Sequence, residues 1–139
     1  MSGDHIDLTH NQELVLRALT AKGKPMSAYA ILADLQDEGL KAPLQVYRAL
    51  DRLIAHGLVH RLESLNAFVA CATPHSHGTA PIVFTICEGC GTVTERPDSA
   101  IGKRIAAICD LEGFHAERET LEIHGECAHC AESAPHLHR

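Results

Sequence analysis

Two Cys-x-x-Cys pairs constrain this chain more than any other feature: Cys87 and Cys90 in "FTICEGCGTVTE", and Cys127 and Cys130 in "HGECAHCAES". Tetrahedral zinc takes four ligands, and two turns that each supply two thiolates close a four-cysteine site. Gly91, directly after the second thiol, suits the tight turn of such a knuckle. A redox dithiol is the competing reading for one pair, but it accounts neither for the second pair nor for the lack of a thioredoxin-like context. A closed four-sulfur site has no open coordination position, so it organises a fold and by itself neither catalyses nor senses.

The rest of the chain bounds the setting of that site. With 139 residues, 45% hydrophobic and 22% charged, there is material for one domain or for two small ones with thin cores. No stretch approaches the roughly 18 apolar residues of a membrane span. Asp4, Asp7 and Glu13 interrupt the N-terminus where a signal peptide needs a positive start and an apolar run. These features place the protein in the cytoplasm, where six cysteines argue for metal ligation rather than for disulfides. The net charge of −6 is unevenly spread: residues 1–70 hold seven Lys/Arg against eight Asp/Glu, and residues 71–139 hold five against ten. All the cysteines also lie at position 71 or beyond. The two halves meet at "CATPHSHGTAP", which reads as a linker. The expected organisation is a first domain over 1–72, a hinge over 73–81 and a second domain over 82–139.

The first half reads as punctuated helices. Thr9 with Gln12 three residues on forms a capping box, and Lys22-Gly23 stops that helix. Ser27 caps a second helix that Gly39 terminates. Pro43 opens a third, closed by Gly57, with Val46, Leu50 and Leu53 on one face. At helical spacing Gln45, Arg48 and Arg52 fall together on the opposite face. Beyond it, "LVHRLESLNAFVACA" has β-formers on both sides of a polar "ESLN", a hairpin pattern. Three short helices and a hairpin make a winged helix-turn-helix, whose third helix enters the major groove of DNA. The polar face is equally what a merely solvated face would be, and Tyr47, at its border, suits a packing role as well as a phosphate contact.

His60, Cys71, His75, His77 and Glu95 bracket the seam between the halves. Either they hold a second metal that sets the angle between the domains, or they are a solvated histidine loop with a buried thiol. The "HLHR" ending reads as a tail, and Cys109 as a buried helix residue. His124 and His129 stand beside the last knuckle as orienting rather than ligating groups.

Together "LTHNQELVLRAL", "SAYAILADL", "VYRALDRLIAHGLVHRLES" and "FTICEGCGTVTE" through "HGECAHC" resemble the ferric-uptake-regulator family, most closely its zinc-uptake-regulator branch. The likeness runs from about residue 8 to residue 132. It implies an α+β protein: an N-terminal winged helix-turn-helix domain and a small C-terminal α/β dimerisation domain with the four-cysteine zinc site. It implies a homodimeric, zinc-responsive repressor of zinc-uptake genes that binds double-stranded operator DNA, with neither a membrane nor a small-molecule substrate as partner. By the same resemblance Tyr47 and Arg48 contact DNA from the recognition helix and Tyr29 from the helix before it, alongside Gln45 and Arg52. Cys87, Cys90, Cys127 and Cys130 hold structural zinc. His60, Cys71, Glu95 and His77, with His75 as alternative or companion, hold regulatory zinc, about two ions per chain in all.

The chain departs from the family pattern in two places. Thr9-His10-Asn11-Gln12 stands where relatives often read Thr-Pro-Gln-Arg, which removes an arginine, and "HAERETLEIHG" lacks the histidine of a third metal site. A thiolate at Cys71 favours zinc over ferrous iron or manganese. The rivals are an iron or peroxide sensor of the same family and a zinc-ribbon interaction module. A zinc deaminase would need an H-x-E before a P-C-x-x-C run, and Ile86 rather than proline precedes Cys87.

Overall fold

Thr9 and Ser27 start the first two helices as their sequence context predicts. The Thr9 hydroxyl accepts from the Gln12 N–H at 3.2 Å while the Gln12 side chain accepts from the Thr9 N–H at 3.1 Å, and the Ser27 hydroxyl accepts from the Ala30 N–H at 3.1 Å. Each bond satisfies a donor that the first helical turn leaves without an intrahelical partner. The computed structural model describes residues 7–72, 80–117 and 119–133, and the chain divides into two compact units, Met1–Ser76 and His77–Arg139.

In the first unit, α1 (His10–Lys22), α2 (Ala28–Leu35) and α3 (Pro43–Ala55) precede a hairpin of β1 (Val59–Leu62) and β2 (Ala67–Ala70). Gly23 ends α1 at φ +69°, a left-handed cap that glycine adopts without steric cost. The helices bury Leu14, Val15 and Leu19, then Ile31, Leu32 and Leu35, then Val46, Leu50 and Leu53. These side chains meet in one core that Met26, Val59 and Phe68 complete. The hairpin pairs antiparallel with Arg61 opposite Phe68 and His60 opposite Val69. Met26 docks on its outer edge, exchanging hydrogen bonds of 2.8 and 2.9 Å with Phe68. Three helices and a two-stranded wing are therefore the fold of this unit.

The second unit contains β3 (Ile82–Cys87), β4 (Val93–Pro97), α4 (Ser99–Glu112), β5 (Leu121–Gly125) and α5 (Ala128–Ser133). Its sheet runs β4-β3-β5, with β3–β4 antiparallel and β3–β5 parallel. Parallel strands need a crossover, and α4, capped by the Asp98 carboxylate on the Ile101 N–H at 2.9 Å, lies on that connection. Among the described residues this unit buries only Phe84, Ile86 and Cys87 fully, and α4 buries none. Cys109, expected to be buried, is half-buried because α4 is not covered within its own chain. No helix among the described residues is long and apolar enough to cross a membrane.

Candidate metal centre and nucleic-acid interface

The strand ends of the second unit bring the two cysteine pairs together. Cys87 ends β3, and its N–H and C=O bond to Thr92 and Gly91, both at 2.9 Å, so the chain reverses before β4 begins. Gly91 makes that reversal at φ +81°, the conformation its position after the second thiol predicts. The parallel pairing of β3 with β5 sets Cys87 opposite Gly125, and Glu88 N–H donates to the Gly125 carbonyl at 2.8 Å, which delivers Cys127 and Cys130 to the first knuckle. Thus a sheet register, not the local motif, assembles the pairs.

All four sulfur atoms lie within 4.8 Å of one another, and Cys90 Sγ is 3.9 Å from Cys127 Sγ. Zinc–sulfur bonds of about 2.3 Å in a tetrahedron would separate the sulfurs by about 3.8 Å, so the cluster fits the ion. Backbone donors already point at it: Cys127 N–H donates to Cys87 Sγ at 3.3 Å and Cys90 N–H to the same sulfur at 3.5 Å. These two N–H groups pull the Cys87 thiol down to about 6. The Thr92 hydroxyl, 3.1 Å from Cys90 Sγ, lowers that thiol as well. Cys130 goes the other way, pushed up to about 12 by the sulfurs of Cys87, Cys127 and Cys90. Four thiolates crowded into one shell repel, and a divalent cation at their centre reverses that repulsion. Gly89 is part of the packing, since a β-carbon there would stand 3.0 Å from Cys130 Sγ. His124, on β5, has its Nδ1 3.0 Å from Oε2 of Glu88, the residue after Cys87.

The first unit brings together two further side chains that could hold a metal ion. Cys71 continues the hairpin beyond β2, its N–H donating to the Leu58 carbonyl at 2.8 Å. This places it diagonally across from His60 on one face of the wing, with their ligand atoms within 4.8 Å. Both are shielded: Cys71 is buried, and so is the Nε2 of His60. Glu95 lies in the second unit, half-buried on β4 opposite Phe84. His75 and His77 lie outside the described residues.

The exposed face of α3 carries Gln45, Arg48 and Arg52, as its periodicity predicts. With Thr9, Asn11 and Gln12 they line an open cavity of about 320 Å³ beside the start of α1. Among the described residues neither arginine has a carboxylate partner. Gln45 is a helix cap as well as a surface group. Its Oε1 accepts from the Lys41 N–H at 2.8 Å and the Ala42 N–H at 3.1 Å, the reach back to the N-cap backbone that Gln12 also makes at the start of α1. Only its amide N–H groups are left to meet a ligand. Tyr29, in the first turn of α2, is 64% exposed, and Tyr47 is 37% exposed with its ring edge-on to Phe68. Asn11 went unnoticed in the sequence, although its place at the start of a capped helix was a usable signal. The Tyr47–Phe68 contact left no local signal at all.

Known proteins resemble this chain in sequence and fold. The model of the "Ferric uptake regulator family" matches residues 5–124. The "Zinc uptake regulation protein" of Escherichia coli (strain K12) is 33% identical over 129 residues, covering 92% of this chain and 75% of that protein. The crystal structure of holo XcZur is 41% identical, covers 92% of this chain and 89% of its own, and superposes with a TM-score of 0.83. A "Zinc Uptake Regulator Complexed With Zinc AND DNA" is 33% identical with a TM-score of 0.85, covering 91% and 85%. With a cysteine cluster of zinc dimensions, a winged helix whose arginines face outward, and a family match over most of its length, the chain belongs to the ferric uptake regulator family.

Proposed function

We infer that this chain is a zinc-responsive transcriptional repressor that binds operator DNA as a zinc-loaded homodimer and controls zinc-uptake genes in the cytoplasm, and that it is not an enzyme. The observation that carries this reading is the pair formed by Cys71 and His60 on the wing, a donor set distinct from the four-cysteine cluster. Thiolate with imidazole is a donor set suited to zinc, whereas ferrous iron and manganese do better with nitrogen and oxygen alone. Cys87, Cys90, Cys127 and Cys130 hold one zinc as scaffold. His60 and Cys71, completed by Glu95 and by His77 or His75, hold a second as the sensed ion.

Sensing follows from linkage. His60 and Cys71 bind zinc more tightly in the DNA-competent state than in the other, so free zinc shifts the population toward repression, and falling zinc lifts it. About 5.5 kcal/mol of differential affinity takes such an equilibrium from 1:99 to 99:1. Arg48 and Arg52, with Tyr47, Tyr29 and the Gln45 amide, form the DNA surface, α3 lying in the major groove. The exposed Ile101, Ile108, Leu111, Phe114 and Ile123 of the second unit supply the apolar surface of the homodimer.

Operator-shift titration of the purified protein across buffered zinc, iron and manganese tests the reading. Zinc alone should produce the shift at low free concentration. Cys71→Ser should keep one tightly held zinc per chain and its dimer, yet lose the zinc-dependent shift. An iron-dependent shift with no zinc response would transfer the protein to the iron-sensing branch of the family.

A further inference from the structure

The wing has two faces with different occupants. Along a strand successive side chains point to opposite sides. His60 and its partner Val69, followed by Cys71, lie on one side, and Arg61 with its partner Phe68 lies on the other. His60 therefore stands one residue from Arg61, the cross-strand partner of Phe68, and Cys71 three residues beyond Phe68, whose ring faces the helices.

That ring is held from several directions. Phe68 is only 4% exposed, its backbone exchanges hydrogen bonds with Met26, and the Arg61 guanidinium carbon stands 5.9 Å from its centroid. Arg61 is in turn tied to the wing turn, donating to Asn66 Oδ1 at 2.9 Å and standing 3.8 Å from Glu63. Against this ring the Tyr47 ring packs edge-on, with centroids 6.5 Å apart and planes at 74°. Tyr47 itself is more than a third exposed and sits on α3 next to Arg48. Of the side chains on the DNA face it is thus the one whose ring is seated on the wing.

We propose that Phe68 is a positioning residue that couples the metal-ligand face of the wing to Tyr47 on the recognition helix. The proposal rests on His60 and Cys71 being regulatory ligands. When both engage one ion, β1 is cross-linked to the end of β2 on that face, which adds to the backbone bonds and the Arg61–Asn66 contact and narrows the twist that the hairpin can adopt. Phe68 lies in the clamped ladder, so its ring is restrained too, and the Tyr47 hydroxyl is held where the DNA backbone passes. Without the ion the hairpin keeps more freedom, and Tyr47 samples several positions. The link lies wholly within the first unit. It sharpens the DNA surface in addition to any change elsewhere in the dimer.

The chain has two tyrosines and no tryptophan, so ring-labelled tyrosine gives two sets of resonances, assigned with a Tyr29→Phe variant. The full-length dimer with its four-cysteine zinc in place is titrated with zinc through the second equivalent. The Tyr47 resonances should shift and sharpen, with the nuclear Overhauser contact to Phe68 strengthening. Phe68→Met keeps apolar volume without the ring. This variant should bind the second zinc as before, show no zinc-dependent change at Tyr47, and bind operator about tenfold more weakly when zinc-loaded, the size of effect an aromatic edge pair supports. Unchanged Tyr47 resonances in the parent protein, while operator binding still responds to zinc, would overturn the coupling and leave the regulatory site standing. Absence of a second zinc equivalent would remove both. Should Phe68→Met unfold, the parent's Overhauser contact decides alone: equal intensity with and without the second zinc sinks the proposal.

Discussion

Single residues on this chain divide by what their loss removes. Cys127 closes the knuckle pair through its sulfur and also donates its N–H to Cys87 Sγ. Cys127→Ser should abolish the tightly held zinc and unfold the second unit, since structural zinc contributes about 10–16 kcal/mol in small zinc-folded peptides. Elemental analysis beside far-ultraviolet circular dichroism checks this, and a folded Cys127→Ser dimer would refute the assignment. Arg48 and Arg52 share one cavity wall, but a base contact and a phosphate contact leave different signatures. A variant that loses a phosphate contact weakens binding to all sequences and lowers the salt slope by about one. Loss of a base contact costs about 1–3 kcal/mol at one operator position. Arg52→Ala, a turn farther from the start of α3, is expected to behave in the first way and Arg48→Ala in the second, as read by operator binding at several salt concentrations.

Among the elements, α1 shows how local chemistry sets a boundary and α4 shows how it fails to reveal a surface. The capping box of Thr9 and Gln12 satisfies two donors at the start of α1, where Asn11 lines the cavity that it shares with Arg48 and Arg52. Thr9→Ala should cost about 1 kcal/mol of stability and should fray that wall, measurable as a lower thermal midpoint with weaker operator binding. Gln12 occupies the place where relatives often carry arginine, and here its side chain is committed to the cap. The helix α4 has its own cap in Asp98 yet buries nothing in its chain, with Leu111 84% exposed and Ile108 47% exposed. A helix of that kind needs a cover. Ile108→Asp should therefore shift the protein from dimer to monomer by analytical ultracentrifugation while the four-cysteine zinc is retained. An unchanged dimer would move the interface to another face.

At the scale of the whole molecule the two units differ in how they are held together. The first has a continuous apolar core drawn from all three helices and the wing. Among its described residues the second buries three fully, Cys87 of the sulfur cluster among them, too thin a core to be stable on burial alone. A strong chelator should accordingly melt residues 77–139 and dissociate the dimer, while the helices of residues 1–76 persist. Amide hydrogen exchange resolves the two, and simultaneous loss of protection in both would contradict independent stabilisation.

Much of this was written locally. Thr9, Ser27, Pro43 and Gly57 mark helix ends through bonds between residues a few positions apart, so their sequence spacing suffices to read them. The outward placement of Arg48 and Arg52 follows from the helical period alone, and Gly91 announces its turn because few other residues accept a positive φ. Spacing also named Cys87, Cys90, Cys127 and Cys130 as one set, since zinc chemistry admits few alternatives. Other features depended on contacts between distant segments, which no local pattern encodes. The second role of Gln45 is its Oε1 reaching back to the Lys41 and Ala42 N–H groups, which takes the side-chain oxygen away from the exposed face. The parallel register of β3 with β5 decided that the knuckles meet, and the hairpin register decided that Cys71 faces His60 while Phe68 faces Tyr47. Register turns on a period of two, so a slip of one residue would send each ligand to the opposite face. Chemistry at the level of residue types was therefore set by the sequence alone, and the direction in which each group points was decided by strand pairing and packing.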